Sequence, residues 1–179
     1  MSKRFHGDPS MLESERRQKK LPPEEVLGKL DIKNGDTLID FGAGIGYFSI
    51  PALDYVGEEG KVIAIDISDT MYEELRKRTS GRRNIEVVQS DGLTGDKADI
   101  ILLVNILHEL DEPAAFLEDC FRSLHPGGRV AVIDWKKEET GDGPPVSHRI
   151  PSDEVIDMAQ KPYAEHKLDD ESYFLVFSG

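Results

Sequence analysis

One cysteine, Cys120, stands among 179 residues. A chain so short of thiols has no internal disulfide framework and no cysteine-based metal cluster, and the residue reads as a small apolar side chain on a buried helix face. Basic residues are also scarce, 22 against 35 acidic ones, for a formal charge of −13. That balance argues against a broad nucleic-acid surface, which depends on clustered Lys and Arg. No apolar run approaches the roughly 20 residues needed to span a bilayer. The N-terminus MSKRFHGDPSMLESERRQKK has basic residues with no apolar segment behind them, so it does not read as a signal peptide, and a cytoplasmic location is expected. Internal repeats and low-complexity linkers are missing as well.

What is present is the composition of one soluble domain, 38% apolar and 32% charged, long enough for a substantial core. Residues 1–20 are set apart as an N-terminal segment, partly flexible or helical. Its basic cluster Arg16, Arg17, Lys19 and Lys20 reads as a solvated helix face. Over 21–179, apolar runs and helical patterns alternate. Strands are expected at 37–41, 61–66, 85–89, 98–104, 129–134 and 173–177, with a poorly marked one near 164–168. Helices are expected at 47–56, started late or kinked by Pro51, at 68–78 with Ser68 or Asp69 as cap, at 113–124 with a stop at His125-Pro126-Gly127-Gly128, and at 152–158. Regular alternation implies an α/β, doubly wound, largely parallel sheet with helices on both faces. Ligands of such sheets sit at the carboxyl ends of the strands, near the switch in strand order.

The stretch Asp40-Phe41-Gly42-Ala43-Gly44-Ile45-Gly46-Tyr47 lies at the carboxyl end of the first strand. A bare turn of this kind, leading into a helix, offers backbone amides and a helix N-terminus to a ligand. Its spacing is not that of a dinucleotide loop, which would place a third glycine where Tyr47 stands. An acid at Asp40 suits a ligand ammonium, whereas a pyrophosphate gains nothing from it. Asp66, 20 residues after Gly46, ends the second strand where a carboxylate accepts from both ribose hydroxyls. Ile67 offers an apolar wall for adenine. Asp91 offers an acceptor for an exocyclic amine, with the backbone of Gly92 and Leu93 beside it.

Together these residues resemble the class I S-adenosylmethionine-dependent methyltransferases. Asp40 to Gly46 matches the D/E-x-G-x-G-x-G loop, Asp66 the ribose acid, Asp91 the adenine-side acid, and LHPGGRVAVID the approach to the fifth strand. With NILHELD after the fourth strand and the PPEEVLGKL helix before the loop, the resemblance is to the small enzymes related to ubiquinone and menaquinone biosynthesis. It covers about Leu21 to Trp135. It implies a Rossmann-like, mostly parallel seven-stranded sheet over 21–179 with the last strand antiparallel. It implies S-adenosyl-L-methionine as cofactor, S-adenosyl-L-homocysteine as product, and an in-line displacement in which positioning supplies most of the catalysis. The implied cofactor-binding set is Asp40, Gly42, Ala43, Gly44, Gly46, Asp66, Ile67, Asp91, Gly92 and Asn105.

On the acceptor side, His108 and Glu109 follow the fourth strand and are the candidate catalytic residues, His108 as a general base or orienting group. His108 also reads as a histidine that caps or packs against its loop. Trp135 is placed at the acceptor mouth, and His148 and Arg149 in the connection after the fifth strand, Arg149 as a clamp for a carboxylate or phosphate or as a surface ion pair. No compact Asp/Asn group marks a magnesium site, and no metal is expected. A small-molecule acceptor is the expected partner, with oligomeric state left open. Two other readings stand beside it: a cofactor-binding module without turnover, and a nicotinamide-dependent oxidoreductase that the position of Tyr47 disfavours.

Overall fold

The computed structural model describes residues 14–141 and 143–179. Most of the expected N-terminal segment, residues 1–13, lies outside these. Seven strands form one sheet in the order β3-β2-β1-β4-β5-β7-β6. They are β1 (Thr37–Phe41), β2 (Lys61–Asp66), β3 (Ile85–Gln89), β4 (Ala98–Val104), β5 (Leu124–Trp135), β6 (Tyr163–His166) and β7 (Ser172–Ser178). β1 to β5 pair in parallel, and β7 runs antiparallel between β5 and β6. The expected mostly parallel, seven-stranded, Rossmann-like sheet with an antiparallel last strand is thus the observed architecture.

Both faces of the sheet are covered because its central strands carry buried apolar residues at successive positions, not only at alternate ones. Ile39, Phe41, Ile63, Ile65, Ile101, Leu103, Val130 and Val132 face α5 (Pro113–Arg122) and α6 (Ser152–Ala159), which contribute Leu117, Cys120, Val155 and Ala159. Leu38, Val62, Ile100, Leu102, Ala131 and Ile133 face α2 (Pro23–Gly28) and α3 (Ser49–Val56), with Val26, Leu27, Ala52, Leu53 and Val56. Cys120 is buried and unpaired. The last helix of the N-terminal half, α4 (Asp69–Arg78), closes over Ala43 and Ala64 through Leu75, and Ser68 caps it through Met71 N–H.

Boundaries differ from expectation where local chemistry decides. α3 starts at Ser49, two residues late, so that Pro51 falls in the first turn, where a missing N–H costs nothing. β5 reaches back through His125-Pro126-Gly127-Gly128 to Leu124: Ala98 pairs with Leu124 and Ile100 with Arg129, and the intervening residues bulge out. The expected stop signal is therefore a bulge, with Gly127 at φ +81°, and α5 ends at Arg122. Chain order places β1 and β4 side by side while their connections leave to opposite flanks, so the crevice at the switch of strand order opens over the carboxyl ends of these two central strands.

Candidate functional site

A cleft of about 1020 Å³ fills that crevice. Its floor is the start of the glycine turn after β1, Gly42 to Gly44, whereas Gly46, expected among the cofactor-binding residues, does not line it. Gly42, Gly44 and Gly46 have φ of +77°, +57° and +89°, the left-handed region that side chains resist. A Cβ on Gly42 would come within 2.8 Å of Ile106 Cδ1, and one on Gly46 within 2.5 Å of Leu75 Cδ1. The amides of this turn are not bare, as the sequence reading had them. Gly42 and Ala43 donate to the Ile65 carbonyl at 2.8 and 2.9 Å, and Gly46 to Ala43 at 3.0 Å. The turn is stitched to the end of β2, and it offers a side-chain-free surface more than a set of donors.

Asp66 holds the same seam: Oδ2 accepts from Gly44 N–H at 2.8 Å and Oδ1 from Ser68 N–H at 2.9 Å. One carboxylate thus fixes both the turn and the start of α4, with lone pairs left toward the cleft. Ile67, beside it, is 37% exposed and lines the cleft with Ser90 and Asp91. Gly92 is absent from the lining; its N–H and carbonyl are both engaged by the Ser90 hydroxyl.

Asp40 is buried under the turn, 2% exposed, and accepts from Ser49 Oγ at 2.5 Å. Burial pushes its carboxyl up to about 6; the Ser49 hydroxyl works against this, Asp66 adds repulsion, and Arg17 pulls the value back down. Arg17 belongs to α1 (Glu15–Lys20), which crosses the cleft. Its guanidinium carbon lies 5.1 Å from the Tyr47 ring centroid and its Nε is buried with no partner. Lys20 pairs with Glu171 and stands 5.9 Å over the Trp135 ring. The solvated face expected for this basic cluster is therefore only half right: Arg16 and Lys19 are exposed, whereas Arg17 and Lys20 line the cleft. Their role was hidden because a six-residue helix with no buried residue shows no apolar stripe.

Asn105 ends β4 at φ +55°, unusual for a side chain. Its N–H bonds the Ile133 carbonyl at 2.8 Å and its Oδ1 is buried without a partner. A short 3₁₀ turn, Leu107–Glu109, follows. His108 there is 5% exposed, and its Nδ1 lies 2.6 Å from Oδ1 of Asp134, a residue itself 1% exposed at the end of β5. His108, Glu109 and Trp135 all line the cleft. Asp134 was read from the sequence only as the end of a strand.

His148 and Arg149 are not brought in. His148 is exposed, and neither residue lines the cleft. The Arg149 guanidinium donates to the carbonyls of Pro144, Lys136 and Glu138 at 2.8, 3.1 and 2.8 Å, and its carbon stands 5.3 Å from the Trp135 centroid. The clamp expected for an acceptor anion is an internal anchor for the loop after β5, because a buried guanidinium needs several acceptors.

Comparison with known proteins decides the family. Residues 39–130, about half the chain, match the family described as "Methyltransferase domain". A crystal structure of an S-adenosylmethionine-dependent methyltransferase from Aquifex aeolicus superposes with a TM-score of 0.85 at 30% identity, over 96% of this chain and 98% of that one. The chain belongs to the class I S-adenosylmethionine-dependent methyltransferases. Within them it is related to the ubiquinone/menaquinone biosynthesis C-methyltransferase UbiE of Francisella philomiragia, 27% identical over 64% of this chain and 48% of that protein. The demethylmenaquinone methyltransferase of Staphylococcus saprophyticus is 25% identical over 65% of this chain and 52% of that protein. The chain spans about half the length of these curated relatives.

The methyltransferase cofactor, S-adenosylmethionine, fits the groups described. The turn lines the cleft through Gly42, Ala43 and Gly44, two of which carry no side chain, and the orphaned Asn105 Oδ1 is an acceptor that a ligand donor would satisfy. Among the described residues no cluster of metal-ligating side chains accompanies it, and no helix is long and apolar enough to cross a membrane.

Proposed function

We propose that this methyltransferase acts on a small-molecule acceptor, with the cofactor held along the β1–β2–β4 ends and the acceptor over His108 and Trp135. In this reading Asp66 accepts from the ribose hydroxyls, and Ile67 and Asp91 hold the adenine. The turn at Gly42–Gly46 lies under the sulfur end. Asp40 and Asn105 face the ammonium, and Arg17 meets the carboxylate. The cofactor supplies a methyl group on a positive sulfonium, which leaves as a neutral thioether. The chain's own work is to orient the two partners, to keep water out with α1 and Tyr47, and to manage a proton at His108.

The observation that carries this reading is that one continuous cleft contains both sets of residues. Its size is at the upper end of the usual range for ligand pockets, with room for a cofactor and a compact second molecule. Family membership sets aside the oxidoreductase alternative. The module without turnover remains distinguishable by experiment.

Calorimetric titration with S-adenosylhomocysteine tests the cofactor half. Asp66→Ala removes two charge-assisted ribose contacts and also releases the Gly44 and Ser68 amides. Affinity should fall by about 2 to 4 kcal/mol, roughly 30-fold to 1000-fold. Wild-type affinity in a folded variant would place the ribose elsewhere. Binding without methyl transfer to a broad panel of metabolites would favour the module.

A further inference from the structure

The geometry points to Asp134 as the positioning residue that fixes His108 with its proton on Nδ1, so that Nε2 stands bare toward the cleft and takes the proton an acceptor gives up on methylation. This rests on the methyltransferase reading of the cleft.

The carboxylate is oriented by the backbone. Asp134 Oδ1 accepts from Trp135 N–H at 2.8 Å, and Oδ2 accepts from His108 N–H at 3.2 Å. With main-chain donors at both oxygens, Asp134 acts as the acceptor, and the 2.6 Å contact to Nδ1 requires the ring to donate. A ring that donates from Nδ1 keeps a lone pair on Nε2. Among the described residues no other group hydrogen-bonds the ring, and His108 lines the cleft while only 5% exposed. A histidine serving only to pack would gain nothing from leaving its second nitrogen without a protein partner.

The register explains how the pair meets. Val104, the last residue of β4, pairs with Ile133, so β5 runs two residues further, and the 3₁₀ turn after Asn105 carries His108 back to Asp134 at the end of β5. Asn105, His108 and Asp134 therefore share one end of two adjacent strands. Tyr173, opposite Asp134 on β7, takes no part: its hydroxyl has no partner, and burial, with Asp134 and Glu154 nearby, pushes its pKa above the ordinary value and keeps it protonated. Glu109 of the same turn, Asp40, Asp111, Glu112 and Asp169, and Arg17 and Lys20 of α1 are charged groups lining the same cleft.

The proton balance closes. The acceptor's proton passes to Nε2 while Nδ1 keeps its own, shared with Asp134. The positive charge that the sulfonium donor gives up reappears as the imidazolium of His108, facing a carboxylate. The ring returns its proton to water once product leaves.

Long-range ¹H–¹⁵N spectra of histidine-labelled protein, with S-adenosylhomocysteine and then with S-adenosylmethionine, test this without a known acceptor. His108 should appear with Nδ1 protonated and Nε2 bare. Its Nε2 resonance should shift between the two complexes, which differ only by the methyl and its charge, while the exposed His125 and His148 should not shift. Asp134→Asn should move the Nδ1 proton upfield, since a neutral partner shares it less strongly, and leave S-adenosylhomocysteine affinity within a few-fold. A wild-type ring protonated on Nε2, or an Nε2 resonance identical in both complexes, would overturn the inference, and neither result needs the variant to fold. Failure of both ligands to bind would instead sink the cofactor reading, leaving the ring's protonation to decide the role of Asp134 by itself.

Discussion

Replacing Asp40 by asparagine should change the pH dependence of stability in a defined direction. The carboxyl is 2% exposed, and its folded value of about 6 lies above the roughly 3.9 expected in the unfolded chain. Between about pH 4 and pH 6 the folded state keeps a proton that the unfolded state has lost. Where the unfolded state binds fewer protons, stability falls as pH rises. The contribution of Asp40 is thus greatest below the unfolded value and is lost as pH rises through the folded one. About two pH units at roughly 1.4 kcal/mol each give a loss of about 3 kcal/mol. Asp40→Asn cannot titrate and retains a carbonyl for the Ser49 hydroxyl. The unfolding free energy of the variant minus that of wild type should therefore rise by about 2 kcal/mol from pH 4 to pH 7, as read by urea denaturation of both proteins without ligand. Taking the difference removes the effect of every other titrating group they share. A flat difference across that range would refute the buried-carboxyl argument. Binding runs the other way: a ligand ammonium favours the ionised form, so S-adenosylhomocysteine should release protons on binding at pH 5 to 6 in wild type, and Asp40→Asn should abolish that release.

Two further substitutions separate fold from site. Gly46→Ala places a Cβ 2.5 Å from Leu75 Cδ1 at φ +89°; it should cost about 2 to 4 kcal/mol by thermal or urea unfolding, and a cost under about 0.5 kcal/mol would mean the turn relaxes freely. Arg149→Ala strips three carbonyls of their donor and Trp135 of its cation; it should lower stability by about 2 to 4 kcal/mol with cofactor affinity within a few-fold. Lost ligand affinity at unchanged stability would return Arg149 to the binding site.

Central strands were legible because their signal is local. VIAID, ADIILLV and RVAVID are largely apolar runs that end at Asp66, before Asn105 and at Asp134, and a strand buried on both faces needs little else to be recognised. β6 was faint because it is an edge strand of four residues, all but His166 exposed, with no apolar period to read. The cofactor edge was legible for a related reason: Asp40, the glycines, Asp66 and Asp91 each close a strand, and topology brings strand ends together without long-range detail. The acceptor side depended on pairings the sequence does not mark. Asp134 is 26 residues from His108 and looks like any acid ending a strand. Arg17 reaches Tyr47 and Asp40 only because Leu21 is buried and its carbonyl accepts from the Tyr47 hydroxyl at 2.9 Å. Arg149 reads as available because an arginine in a loop between prolines gives no hint of three carbonyls converging on it.

The charge lining the cleft follows from the same arrangement. Asp40, Asp66, Asp91, Glu109, Asp111, Glu112, Asp119 and Asp169 face it against Arg17 and Lys20. Such a lining works against a pyrophosphate and suits a donor that carries both an ammonium and a sulfonium, since opposite charges a few ångströms apart gain several kcal/mol where water is excluded. Transfer removes the sulfonium charge, and with it part of that attraction. The acids that draw the donor in thus favour release of its neutral thioether product. They also set a condition on the acceptor: an anionic group must come to rest beside Arg17 or Lys20, whose charges are already turned toward Asp40 and Glu171. A neutral acceptor that becomes charged only by passing its proton to His108 meets no such cost.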